Sequence, residues 1–152
     1  MSFDKQKAEV SKKNLKNADL QNLDLQEADL SEGILIEACL ENSNLSEADL
    51  CEADISGANL KNARLHRTVL YRCRGKEVNF SNAILTQANL VEANLSGANF
   101  TNSNLMESNI EGANLINTCF KNANLSEVNL TGVFLANANL SGANLTNSEC
   151  IA

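Results

Sequence analysis

The chain has 152 residues, which allows one domain, and contains 24 Asn, 22 Leu, one His, one Tyr and no Pro or Trp. Its 19 acidic and 12 basic side chains leave a net charge of −7, which argues against direct nucleic-acid binding, since that needs clustered Lys and Arg to displace counterions. A single His excludes a Cys/His zinc cluster, and no apolar run approaches the ~20 residues of a membrane span, so no metal, cofactor or membrane is expected.

The chain opens with MSFDKQKAEVSKKN, polar and Lys-rich, with no h-region and therefore no visible secretory signal. Residues 1–7 are expected to form a tail or cap. Ala8-Glu9-Val10 already fits the pattern that follows, so a single domain is expected over 8–152. The five cysteines, Cys39, Cys51, Cys73, Cys119 and Cys150, are odd in number and form no CxxC. Without an export signal they read as reduced thiols of a cytoplasmic protein. Triplets such as Asn44-Leu45-Ser46 and Asn94-Leu95-Ser96 arise from the repeat and carry no glycosylation meaning without export.

The repeat runs from Leu15 to Cys150 in blocks of five with no insertion. Of the 28 positions at multiples of five, Leu fills 21, and Ile55, Ile110, Phe80, Phe100 and Phe120 fill five more; only Gly75 and Cys150 depart. Two residues earlier, 15 of 28 are Ala and most others are small; one residue earlier, 19 of 28 are Asn or Asp. A period of five is neither helical nor that of a plain strand. It suits a short extended piece followed by a bend. In the extended piece the Ala and Leu point inward and the Asn or Asp between them points out. Asn and Asp suit the bend because their side chains bond nearby backbone and tolerate turn conformations. Each block is then one side of a coiled tube too narrow for more than Ala at the second inward position.

Charge gives the number of sides. Residues 17–60 hold eleven acids and no base, and the block Lys61, Arg64, Arg67, Arg72, Arg74, Lys76 follows. A separation of 20 pairs Lys61 with Glu41, Arg67 with Glu47, Arg72 with Glu52 and Glu92, and Arg74 with Asp54. It also pairs Lys7 with Glu27 and Lys12 with Glu32, and it lines up Phe80, Phe100 and Phe120. Separations of 15 and 25 give fewer acid partners, so four sides fit best.

The blocks Ala18-Asp19-Leu20, Ala48-Asp49-Leu50, Ala58-Asn59-Leu60, Ala88-Asn89-Leu90 and Ala143-Asn144-Leu145 carry a resemblance to the pentapeptide-repeat proteins over nearly the whole chain. The resemblance implies an all-β fold, a right-handed quadrilateral β-helix with the Leu or Phe as central residue. At four blocks per coil the 28 blocks make about seven coils, and a strand spacing of ~4.8 Å makes the rod roughly 34 Å long.

Three stretches depart from the plain repeat. The acidic one offers Asp19, Asp24, Asp29, Glu47, Asp49, Glu52 and Asp54 as a partner-binding patch. Some members of the resembled family confer quinolone resistance as acidic rods that mimic duplex DNA on type II topoisomerases. Duplex DNA has one charge per ~1.7 Å, whereas −7 over roughly 34 Å is one per ~5 Å, so the resemblance supports mimicry mainly through the local density of these acids. The basic stretch, with Arg64, Arg67, Arg72 and Arg74, reads either as an anion site with His66 and Tyr71 or as a lock on coil register. Within it Cys73 reads as a small core filler, His66 as an exposed residue, and Gly75 as a gap in the core column with a local bulge. Near the C-terminal end Val133, Phe134, Ile116 and Cys119 break the polar outer pattern, and Val133, Phe134 and Ile151 suggest an end-to-end homodimer.

No Ser–His–Asp order, phosphate-cradling loop or catalytic carboxylate pair stands out, so an enzyme is not expected. The expectation is a non-catalytic rod that binds or scaffolds an unknown protein. The alternative is a DNA mimic that inhibits or protects gyrase or a related topoisomerase. The first can use the apolar exceptions Ile34, Ile36, Tyr71, Ile116 and Phe134; the second needs the carboxylates of 19–54 in a continuous stripe.

Overall fold

The computed structural model describes residues 4–149. From Leu15 onward every five-residue block follows the same path. Its Leu, Ile or Phe is buried as far as Leu130, and the small residue two before it is buried for most of the rod. The residue between them makes a parallel bridge to the residue 20 positions on, from Asp19 with Cys39 through to Asn129 with Glu149. Four blocks therefore complete one turn, as the charge spacing suggested. Each side is too short to make more than one bridging residue.

The corner is set by backbone conformation. Residues two after the central position, from Asn17 to Asn147, all have positive φ, near +50° to +72°. These 27 corners comprise ten Asn, five Gly, nine Glu, two Arg and one Gln. Gly and Asn visit the left-handed region readily; Glu and Arg do so at a cost. Nearly every corner is held by a turn bond from the next small residue to the central carbonyl, as in Ala18 N–H to Leu15 O at 3.0 Å. Bonds to the next coil hold it too, as in Asn22 N–H to Glu41 O at 2.9 Å.

The Asn and Asp before the central residue act as expected on nearby backbone. All eighteen at this phase from Asp19 to Asn144 accept through Oδ1 the amide two residues on. They prepare the bend; the left-handed residue is three positions further along. Asn at the corner adds a second device, a ladder of side-chain amides between coils, as in Asn42 Nδ2 to Asn22 Oδ1 at 3.2 Å and Asn62 Nδ2 to Asn42 Oδ1 at 3.0 Å.

Inside, the central residues stack in four columns. Phe80, Phe100 and Phe120 stack with ring centroids 4.9 and 5.0 Å apart, the offset expected of neighbouring coils. Buried hydroxyls at the small position return their hydrogen bonds to backbone: Ser43 to Leu40 O and Thr68 to Leu45 O, each at 2.7 Å. Among the described residues only Ser108 Oγ is buried without a partner.

Two expectations are corrected here. The repeat path does not begin at Ala8: Lys5–Val10 is a helix, α1, capped by the Asp4 side chain on Lys7 N–H at 2.9 Å, and a 3-10 turn follows at Lys12–Asn14. Val10, which the five-residue phase would bury, is 83% exposed, while Ala8 is fully buried against the first coil. KQKAEV has no Leu to anchor a side of the tube and contains good helix formers. The helical start also shifts the basic partners by one or more places: Lys12 meets Asp29 at 2.7 Å and Lys13 meets Glu32 at 2.9 Å. Glu9 Oε1 accepts Asp29 N–H at 3.0 Å, filling the role of a missing coil at an otherwise open strand edge.

Gly75 causes no bulge. Asp54, Arg74 and Asn94 bridge in unbroken sequence, and Gly75 N–H bonds Asn94 O at 2.8 Å. Nor is there a gap. A Cβ there would lie 2.7 Å from Leu95 Cδ2, 3.2 Å from Ile55 Cγ1 and 3.3 Å from Val78 Cγ1. Val78 supplies the volume that the glycine lacks. Gly75→Leu, which restores the repeat's consensus, is therefore expected to lower unfolding stability by about 1–3 kcal/mol through overpacking. Denaturant titration measures it; a gain in stability would show that the column was underfilled.

Candidate functional site

The four bridge ladders separate the sequence-derived acids. Asp19, Asp24 and Asp54 each stand in a different ladder, and Asp29 and Asp49 share the fourth. The continuous stripe that mimicry would need from 19–54 is not formed. What does form is a compact block on one side. Glu47 and Glu52 occupy the corners on either side of Asp49, and Glu27, Asp29 and Glu32 take the same places one coil earlier. On the following coil the same three places hold Arg67, Val69 and Arg72.

The two acidic rungs differ in how they are neutralised. In the lower rung the Lys12 ammonium bonds Asp29, with help from the Ser31 hydroxyl and amide, and holds its pKa down to about 2 from 3.8. Lys13 likewise lowers Glu32. In the upper rung Glu47, Asp49 and Glu52 make no ion pair among the described residues. The arginines expected to meet them turn to the other neighbouring coil. Arg72 Nε donates to Glu92 Oε2 at 2.6 Å with its guanidinium over the Tyr71 ring, and Arg67 Nε donates to Gln87 Oε1 at 2.8 Å. Gln87 passes the interaction on to Glu107 at 2.6 Å.

The remaining bases behave as the charge spacing suggested. Lys61 lies 3.7 Å from Glu41, and Arg74 lies 3.2 Å from Asp54. Burial alone would raise Asp54, but bonds from Ser56 and Arg74 outweigh it and lower its pKa. Arg64 has no ion pair among the described residues. His66 is half-buried, with Nδ1 2.8 Å from Thr86 Oγ1. Exposed pairs of this kind contribute about 0–1 kcal/mol each, so their weight lies in penalising a slipped register rather than in stability.

The thiols sort by position. Cys73 is buried at the small inward position, and burial pushes it up to about 12. Cys51 is half-buried and raised, first by burial and then by the Asp49 and Glu52 carboxylates. Cys119 is lowered by the Thr101 hydroxyl 3.4 Å from its sulfur and by the Lys121 amide. Cys150 lies outside the described residues. At the C-terminal end Phe134 is 61% exposed, Val133 is half-buried, and Leu135 and Leu140 are half-buried where earlier central residues are sealed. Ile151 lies outside the described residues.

One surface feature was not read from the sequence. A shallow groove runs along a corner lined by Ile36, Glu37, Ser56, Gly57, Lys76 and Glu77. Glu37 Cγ lies 3.3 Å from where a Gly57 Cβ would be, so the glutamate covers the bare corner above it. The alternation Glu37, Gly57, Glu77, Gly97 at a spacing of 20 was the available signal. Among the described residues no group of three or more His, Cys, Asp or Glu is placed to hold a metal ion, and no helix is long and apolar enough to cross a membrane.

The family model for pentapeptide repeats matches eight copies, over 6–35, 35–67, 76–112 and 108–147. The chain belongs to the pentapeptide-repeat family, and its fold class is the right-handed β-helix. The matches pass over 68–75, the segment where Val69, Arg74 and Gly75 depart from the consensus. Similar solved structures include QnrB1, a plasmid-mediated fluoroquinolone resistance protein, with 18% identity, 86% of this chain and 80% of that one covered, and a TM-score of 0.49. HetL, involved in heterocyst differentiation regulation in the cyanobacterium Nostoc, has 26% identity, coverage of 88% and 81%, and a TM-score of 0.35. Rfr23 from the cyanobacterium Cyanothece has 32% identity, coverage of 70% and 63%, and a TM-score of 0.30. No curated protein sequence matches the chain.

Two outcomes follow from the titrations. Native-state alkylation is expected to modify Cys119 before Cys51 and to leave Cys73 untouched until the protein unfolds, as peptide mapping of partial digests will read; early labelling of Cys73 would mean that the core opens locally. Asp29 has a folded pKa below its unfolded value, so its contribution to stability is complete above about 4 and is lost as pH falls through about 2. Carboxyl NMR should place its midpoint near 2, and Lys12→Ala should return it toward 3.8.

Proposed function

We propose that the chain is a non-catalytic rod of about seven coils, four blocks to a coil, whose outer faces bind another protein in the cytoplasm. The observation that carries this reading is the rung Glu47, Asp49 and Glu52, three carboxylates on one side of the rod that make no ion pair among the described residues. The interior beneath them is filled with Leu and Ala, so the chemistry on offer lies on the outer positions. Charges so placed speed and orient the encounter with a complementary partner more than they tighten it.

DNA mimicry toward a type II topoisomerase is the second reading, favoured by the six carboxylates Glu27, Asp29, Glu32, Glu47, Asp49 and Glu52 on one side. It is weakened by Arg67 and Arg72 immediately beyond them and by the scatter of Asp19, Asp24 and Asp54 over other sides. The exposed Phe134 and half-buried Val133, Leu135 and Leu140 support a homodimer contact through the C-terminal coil.

The deciding experiment is a gyrase supercoiling assay titrated with purified protein, with and without a fluoroquinolone, beside a cross-linking capture of partners. The binding-rod reading expects no effect on gyrase, and a captured protein that Glu47→Gln/Asp49→Asn/Glu52→Gln loses. Gyrase inhibition or drug protection that the same variant abolishes would put mimicry first. Capture indifferent both to that variant and to Phe134→Ser would overturn the outer-face reading.

A further inference from the structure

The side that carries the unpaired rung has a second property: it is complementary to itself. Along one ladder Asp49 is followed by Val69, and along the two flanking corners Glu47 is followed by Arg67 and Glu52 by Arg72. Both corner pairs are exposed, and Asp49 and Val69 between them are half-buried. One rung is wholly acidic, and the adjacent one is basic with an apolar centre.

We propose that two copies of this chain associate side by side and antiparallel through this face, each presenting its acidic rung to the other's arginine rung. A two-fold axis lying in the interface, across the rods and midway between the rungs, brings each residue opposite the one 20 positions away in its own column. Glu47 then faces the second copy's Arg67, Glu52 faces the second copy's Arg72, and Asp49 faces the second copy's Val69. Both corner pairs occur twice by symmetry, the isologous arrangement of a closed dimer. The parallel alternative sets Glu47 against Glu52 and Arg67 against Arg72 of the other copy and is rejected by like charge.

The arginines can serve both partners. Each meets its own next coil through Nε, and a guanidinium carries five N–H donors in a fork suited to a second carboxylate. Among the described residues Glu47, Asp49 and Glu52 make no ion pair that the association would have to break. In the next rungs Glu27 faces Gln87 and Asp29 faces the neutral Asn89 of the second copy, while Glu32 faces Glu92, each of these two held within its own copy, by Lys13 and by Arg72. This assembly is distinct from capture of a foreign protein and from association through the C-terminal end.

Sedimentation velocity tests it, on the full chain over a range of concentrations in about 50 mM and about 500 mM salt, because exposed ion pairs weaken as the screening length shrinks. The expected result is a reversible dimer at low salt whose dissociation constant rises at least tenfold at high salt. Glu47→Arg/Glu52→Arg and Arg67→Glu/Arg72→Glu should each be monomeric, and an equimolar mixture of the two should sediment as a heterodimer. Should the arginine variant lose its circular dichroism, Arg67→Gln/Arg72→Gln replaces it and should likewise abolish self-association. A monomer at every concentration in low salt overturns the proposal, as does a mixture that stays monomeric. A dimer that persists in high salt and disappears with Phe134→Ser overturns it too, in favour of the C-terminal end.

Discussion

A left-handed residue at every fifth position is the constraint on which this rod depends. The chain must turn about a right angle after each short extended piece, and it does so with φ near +50° to +72° at 27 successive corners. Ten Asn and five Gly meet that demand at little cost, but nine Glu, two Arg and a Gln occupy the same conformation. They are held there by the coils on either side. The corner amide of Glu27 bonds Ser46 O at 2.9 Å, and that of Glu47 bonds His66 O at 2.8 Å. An isolated block would not keep a glutamate left-handed; a stack of blocks does, because every corner is clamped by its neighbours.

The interior follows from the corners. Once the path is square and the rise per coil is one strand spacing, each central residue stacks on the one 20 positions away. Volume must then match up and down the column rather than across a sheet. Three phenylalanines fit because they are consecutive in one column. Gly75 fits because Leu95, Ile55 and Val78 close over it. Core packing in this molecule is a set of one-dimensional problems, and a departure in one block is corrected by its vertical neighbours.

The outside obeys the same geometry with less constraint. The corner and ladder positions set which charges are neighbours, while long side chains choose between the coil before and the coil after. Arg74 turns back to Asp54, whereas Arg72 turns forward to Glu92 and Arg67 to Gln87. That choice leaves Glu47, Asp49 and Glu52 without an ion-pair contact among the described residues and gives one side of the rod its distinct character.

Period, inward residues, the separation of 20 and the aromatic column were all legible in the sequence, because each is a repeating pattern and repetition averages out local exceptions. The bonding of Asn and Asp to nearby backbone was legible for the same reason. The left-handed corner itself was assigned to the wrong phase, since Asn is enriched at both and only the backbone path distinguishes them. Ala8-Glu9-Val10 mimicked the repeat, yet the absence of an anchoring Leu and the Asp4 cap turned it into α1. Tertiary structure alone decided the filling of the Gly75 position, the direction in which each arginine turned, and the separation of Asp19, Asp24 and Asp54 onto different sides. These depend on which coils lie above and below and on side-chain reach, quantities that a linear pattern of residue types does not contain.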